Sequence, residues 1–233
     1  ACTYQTAALI DSGAGDFMLE TAMLKVFATE TLAKILSDTF QLHGGLAYFT
    51  DQPFERMVRD ARINTIGEGA NDVLRAFTAL VGMRDVGLEL QSIRDAIFSP
   101  LGNLSRLGRF TGRKLGALLV PPSVAVRNSE LEPEAAELGR LVGALGHNVE
   151  RLLVQYQLGI VDRQYQLARI SDAATELYVS ACVLNRLDHL LRYSHDHNGE
   201  LKTALQTGRY YLQTSQRRIR IALAALWDND DEA

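Results

Sequence analysis

This chain is poor in sulfur, in strand-like alternation and in long apolar runs. It has two cysteines, Cys2 and Cys182, far apart in the sequence. They show no metal-ligand spacing and build no disulfide framework, so a reducing compartment is the default expectation. No apolar stretch reaches the length of a membrane span. β-Branched alternation punctuated by hairpin turns is missing, which argues against a sheet protein. A basic excess is missing as well. The formal net charge is −4, which excludes a chain-wide basic field for nucleic acid. The chain begins at Ala1 without an initiator Met and shows no signal peptide, and its opening ACTYQTAALI reads as the second half of a helix. A piece of a longer protein is therefore expected, and targeting is not legible.

What is present is ordinary globular material: 233 residues, 47% hydrophobic and 22% charged. That suffices for one large core or two small ones. Helical periodicity dominates. DSGAGD, residues 11–16, reads as a loop. Asp16 is placed to cap the following helix, and Glu20 adds a favourable charge near its start. That helix carries Phe17, Met18, Met23, Leu24, Phe27, Leu32, Ile35, Leu36 and Phe40, giving the first half a core of its own, and it should end at Gly44–Gly45. TDQP bends the chain into a short helix near Phe54 to Arg62. A further helix is expected to open at Glu68–Gly69, run to about Gly82 and continue toward Ile93.

Residues 99–129 change character, with Gly, Pro and Ser punctuation and five basic residues, Arg106, Arg109, Arg113, Lys114 and Arg127, with no acid. This reads as a connector, either a solvated linker or a segment touching anionic membrane lipid. Long helical patterns follow over Glu134 to Leu158, Gln164 to Tyr193 and Leu201 to Leu226. The last alternates steps of four and three (Leu201, Leu205, Gly208, Leu212, Ser215, Ile219, Ala222, Leu226), which suits packing along a neighbouring helix. The expectation is an all-α chain: a helical bundle over 1–98, a connector over 99–129, and an antiparallel three-helix extension over 130–233.

The stretch RINTIGEGANDVLRAF, residues 62–77, sets Glu68 between Gly67 and Gly69 just before an amphipathic run. It reads either as a turn leading into a helix or as a positioned base with bare backbone beside it for a ligand. His189, His195 and His197, with Asp188 and Asp196, straddle a helix end and a turn without ligand spacing, so no metal site is assigned. His43 reads as a packing or hydrogen-bonding side chain.

QLHGGLAYFTDQPFERMVRD, residues 41–60, resembles the signature of the acyl-CoA dehydrogenases through Gln41, Gly44, Gly45, Tyr48, Asp51, Arg56 and Asp60. Ala47 stands where that family usually has Gly. Downstream, EGAND resembles the family's Glu-Gly-Thr segment at the fitting distance. The resemblance covers roughly residues 1–95, and the helical tail is similar to the extension of the family's very-long-chain branch.

The resemblance implies a flavin-dependent α,β-desaturation of a fatty acyl-CoA, with a long-chain substrate and FAD as cofactor. Glu68 would take the α-proton, and its own backbone N–H would polarise the thioester carbonyl. Gly69 would let the substrate come close. Gln41, Leu42, His43, Gly44 and Gly45 would touch the adenosine diphosphate part of FAD held mainly by a partner subunit. Ala70, Asn71 and Asp72 would lie near the flavin's phosphates. Ala70 replaces the family's Thr, which removes a hydroxyl contact, and Gly67 replaces a pocket-shaping aromatic. Arg56, Arg59, Asp60 and Arg62 are expected as an ion-pair cluster fixing the turn below Glu68.

A homodimer through helical faces, electron-transfer flavoprotein or a similar acceptor, no nucleic acid, and a bacterial cytoplasmic or mitochondrial location with peripheral membrane contact complete the implied picture. By itself the chain would keep only peripheral flavin contacts and be inactive. Two other readings stand beside this one: a non-catalytic helical oligomerisation or membrane-docking module, and the corresponding part of an acyl-CoA oxidase.

Overall fold

The computed structural model describes residues 1–98, 122–193 and 199–231. Among them lie eight α-helices and no strand: α1 (Cys2–Asp11), α2 (Met18–His43), α3 (Gly45–Tyr48), α4 (Phe54–Arg62), α5 (Asn71–Phe98), α6 (Glu132–Tyr156), α7 (Gln164–Tyr193) and α8 (Glu200–Ala224). Most of the connector, with Arg106, Arg109, Arg113 and Lys114, falls outside the described residues, as do His195, Asp196 and His197.

Local chemistry sets the helix ends. Asp16 accepts a hydrogen bond from the Met18 amide at 3.0 Å, opening α2. Gly44, at φ +59, closes it, its N–H bonding Gln41 O at 3.2 Å. Gly45 then starts a single further turn, α3, whose Ala47 is wholly buried. α5 begins at Asn71 rather than at Glu68–Gly69, because Glu68 and Gly69 have φ +54 and +95 and two left-handed residues cannot open a right-handed helix. It passes through Gly82 without a break.

α6, α7 and α8 form the up-down-up unit that the heptad spacing foretells. Gly208 meets Leu187, and the Ser180 and Ser215 hydroxyls hydrogen-bond at 2.8 Å, so α8 runs antiparallel to α7. A Cβ on Gly208 would come within 2.7 Å of Leu187, which shows how closely the two helices approach. Leu131, Leu152, Leu167, Leu184, Ile219 and Leu226 are almost completely buried between these elements. This core is not confined to the extension. Ala79 and Met83 of α5 belong to the same cluster.

The first half departs from expectation. Of the apolar residues on α2 only Ala22, Val26 and Leu36 are buried, whereas Met18 and Ile35 are more than half exposed. The reason is that the described elements packed on α2, chiefly α1, α3, α4, α5 and α7, leave the side bearing Met18 and Ile35 uncovered. Cys2 and Cys182, both free thiols, share a small buried cluster with Val179 where α1 docks on α7. Thr6 and Tyr178 hydrogen-bond beside it at 2.8 Å.

Asp188 on α7 fixes the chain where it enters the extension. Its Oδ1 accepts the amides of Arg127 at 3.0 Å and Asn128 at 2.8 Å, and its Oδ2 faces Arg192 at 3.4 Å. Burial opposes its charge, but the two amides and the guanidinium outweigh that and hold the carboxyl below the usual carboxylate range.

Two outcomes are expected. Leu212→Asp removes roughly 1.5–3 kcal/mol of burial and forces a charge into the core. Segment-resolved hydrogen exchange should show α6–α8 losing protection together with α5 around Ala79 and Met83; full protection of α5 would mean that the extension is an independent unit. Asp188→Asn should lower Tm near neutral pH. A depressed carboxylate stabilises the fold above its unfolded pKa of about 4, and that stabilisation is lost as pH falls through the lower folded value, so the parent and variant melting curves should converge in acid.

Candidate active site

Glu68 is an exposed residue in a turn that few side chains adopt. Its φ of +54 is left-handed, a conformation costing a residue with a Cβ about 1–2 kcal/mol. Such strain persists only where the surroundings over-determine it. On the N-terminal side, Ile63 O accepts the amides of Ile66 at 3.0 Å and Gly67 at 2.7 Å. On the C-terminal side, the Lys25 ammonium donates to Gly69 O at 2.8 Å. Among the described residues nothing engages the Glu68 carboxylate or its backbone N–H. The turn therefore presents an acceptor and a donor on one residue, both free.

Behind the turn lies a polar network that joins three helices. Lys25 Nζ also donates to Asn71 Oδ1 at 2.8 Å, and Asn71 Nδ2 donates to Thr29 Oγ1 at 2.9 Å and Glu30 Oε1 at 3.3 Å. One turn further along α5, Arg75 donates to Glu30 Oε2 and to Asp172 Oδ1, both at 2.7 Å. Burial works against the Arg75 charge, but these two carboxylates more than compensate and hold the guanidinium above its usual range. Lys25, Thr29, Glu30, Arg75 and Asp172 carry no motif. Their one sequence signal is polar side chains spaced four apart, Lys25 with Thr29 and Asn71 with Arg75.

The other residues singled out from sequence fall into two patches. Gln41, Leu42, His43, Gly44 and Gly45 are all exposed, Leu42 at 86%. His43 donates Nδ1–H to Thr39 O at 2.8 Å and stacks on Phe54 at 4.2 Å, a local packing role. Cβ atoms built on Gly44 and Gly45 would meet nothing within 4 Å, so their backbone is bare. Lys25 and Gly44 lie on the same helix, so at about 1.5 Å per residue this patch sits some 25–30 Å along α2 from the Glu68 turn. The second patch is the α5 N-terminus. Ala70 O accepts from Leu74 N–H at 2.9 Å, which makes Ala70 the capping residue, without a side-chain acceptor. Asn71 is buried with its side chain turned inward, leaving its amide at the helix start, while the Asp72 side chain is exposed. Gly69 lies against Leu74, where a Cβ would come within 3.4 Å.

The basic cluster expected beneath this turn does something else. Arg56 pairs with Asp60 at 3.6 Å and Arg59 with Glu55 at 3.4 Å, both within exposed α4, and Arg62 contributes its carbonyl to the Thr65 hydroxyl at 2.9 Å. Their i,i+4 spacing satisfies these charges along one helix, and Lys25 holds the turn instead.

Fold and site together define a class: a helical domain that offers a strained glycine-flanked carboxylate, followed by a helical extension. Residues 1–81 match the acyl-CoA dehydrogenase C-terminal domain, and residues 129–232 match the ACAD9/ACADV C-terminal domain. The chain belongs to the acyl-CoA dehydrogenase family and resembles its very-long-chain branch. It is 34% identical to the mitochondrial very long-chain specific acyl-CoA dehydrogenase of Homo sapiens over 227 residues, covering 96% of this chain and 34% of that protein. Against the Mus musculus protein of the same name it is 36% identical over 192 residues, covering 81% and 29%. The chain thus spans about a third of the length of the curated relatives it matches. An acyl-CoA dehydrogenase from Bacillus anthracis, solved in complex with FAD, shares the fold at TM-score 0.66 and 19% identity, over 91% of this chain and 34% of that one. No helix among the described residues is long and apolar enough to cross a membrane.

The uncapped start of α5 yields a prediction. Ala70→Ser would supply the missing acceptor and should stabilise the chain by about 1 kcal/mol, read as a rise in urea midpoint at unchanged m value.

Proposed function

We propose that this chain is the catalytic-base-bearing C-terminal part of an FAD-dependent enzyme that desaturates long-chain fatty acyl-CoA between the α- and β-carbons. The observation that carries this reading is Glu68: a left-handed carboxylate between two glycines, with its carboxylate and its N–H both uncommitted. The carboxylate takes the α-proton. The N–H of the same residue donates to the thioester oxygen as negative charge develops there, so that proton loss and carbonyl polarisation come from one rigid unit. Gly69 has no side chain to hold the thioester away from that backbone.

The chemistry of the two patches fits FAD. The bare backbone of Gly44 and Gly45, with the exposed Gln41, Leu42 and His43 beside it, suits an adenosine diphosphate group held mainly by a partner subunit. The uncapped amides of Ala70, Asn71 and Asp72 suit phosphate oxygens at a helix start, with the Asp72 carboxylate turned along the surface toward Arg75. Bound there, FAD would accept the hydride that leaves the β-carbon.

On this reading the enzyme is a homodimer, passes its electrons to electron-transfer flavoprotein or a similar acceptor, and works in a mitochondrion or a bacterial cytoplasm. Residues 1–98 carry the site, 99–129 connect, and 130–233 buttress it. Two patches this far apart, on a chain about a third the length of its relatives, do not make a complete flavin site, so the chain alone is inactive.

The test is Glu68→Gln in an enzyme that contains this chain. An amide cannot take the α-proton. Acyl-CoA binding should persist while the rate of flavin bleaching in stopped flow falls by roughly 10²–10⁴-fold. Near-normal reduction would remove Glu68 from the role of base.

A further inference from the structure

We propose that Lys25 is a positioning residue for this site: it locks the Gly69–Ala70 peptide and thereby aims both Glu68 and the amides that follow it. The proposal rests on the reading of Glu68 as the base. A glycine beside a left-handed residue is a natural place for a peptide plane to flip, since neither of its dihedrals is restrained by a Cβ. Gly67 is held from one side by Ile63 O. Gly69, at φ +95, has no backbone partner for its carbonyl, and the Lys25 ammonium supplies one at 2.8 Å.

The same ammonium donates to Asn71 Oδ1 at 2.8 Å, so one group spans the junction from the last turn residue to the first helical one. Asn71 is in turn fixed by Thr29 and Glu30, and the Thr29 hydroxyl donates to Lys25 O at 2.9 Å. The clamp is therefore anchored in α2 and does not move with the turn. The geometric consequence follows from peptide planarity. In a trans peptide the C=O and the N–H point in opposite directions, so a carbonyl pinned toward Lys25 turns the Ala70 N–H away from α2. Lys25 thus decides which way that donor faces and where Glu68 stands relative to it.

Three variants test the proposal, in this chain and in an enzyme that contains it. Lys25→Met keeps most of the aliphatic stem and removes the donor; Lys25→Arg keeps a charged donor; Glu68→Gln reports on the base. In the isolated chain, Lys25→Met should speed amide exchange at Gly69, Ala70 and Asn71, with protection in α7 and α8 unchanged. In the enzyme, flavin reduction at saturating acyl-CoA, measured per bound flavin, should fall by about 10–100-fold, as expected for a misplaced reacting group, with acyl-CoA affinity nearly constant. Lys25→Arg should recover most of that rate. Reduction by Lys25→Met at the parental rate overturns the proposal. So does a uniform loss of protection along the chain, which would make Lys25 a general stability residue. If Glu68→Gln still reduces flavin, the reading of the base fails, and the local exchange data still decide whether Lys25 holds the turn.

Discussion

Arg75 is where the parts of this molecule are tied together. Its guanidinium lies at the junction of α2, α5 and α7, bonded to Glu30 on one side and Asp172 on the other. Only 16% of its side chain is exposed, so the charge is stable there because two carboxylates meet it. The helix that bears it begins next to the Glu68 turn and continues, a few residues later, into the core formed with α6–α8 through Ala79 and Met83. One helix thus carries both the residue that follows the Glu68 turn and the ion pair to the extension.

Both halves expose large apolar side chains, Leu158 at 88% and Tyr210 at 72% in the extension among them. The extension buries the inner face of its last helix, with Leu212, Ser215 and Ile219 all at 3% exposure or less. The first half leaves Leu42, Leu46, Tyr48, Phe49 and Ile63 more than half exposed.

Stability and chemistry are in tension at residues 67–71. Glu68 holds an unfavourable backbone conformation, Gly67 and Gly69 add unfolded-state entropy, and Ala70 leaves a helix start uncapped. Each choice weakens the fold locally and each leaves a polar backbone group or a carboxylate free. The compensation lies a layer deeper, where Lys25, Asn71, Thr29 and Glu30 satisfy one another.

The sequence by itself determined the longer helices, though not the single turn α3 after Gly44. Periodicity and breakers act within a few residues of where they are written, so α4, α7 and the heptad face of α8 were legible, and Gly44 closed α2 where a C-terminal glycine should. Local motifs likewise marked Gln41, Gly44, Gly45 and Glu68. Tertiary structure decided the rest. It moved the start of α5 to Asn71, because the left-handed turn before it is held by a lysine more than forty positions upstream. It joined Arg75 to Asp172, gathered Cys2 and Cys182 into one cluster, and merged α5 into the core of the extension. These contacts join residues that share no local pattern. A hydrogen bond between distant positions leaves no periodic trace in either segment, so only the packed chain could reveal which polar side chain supports the candidate base.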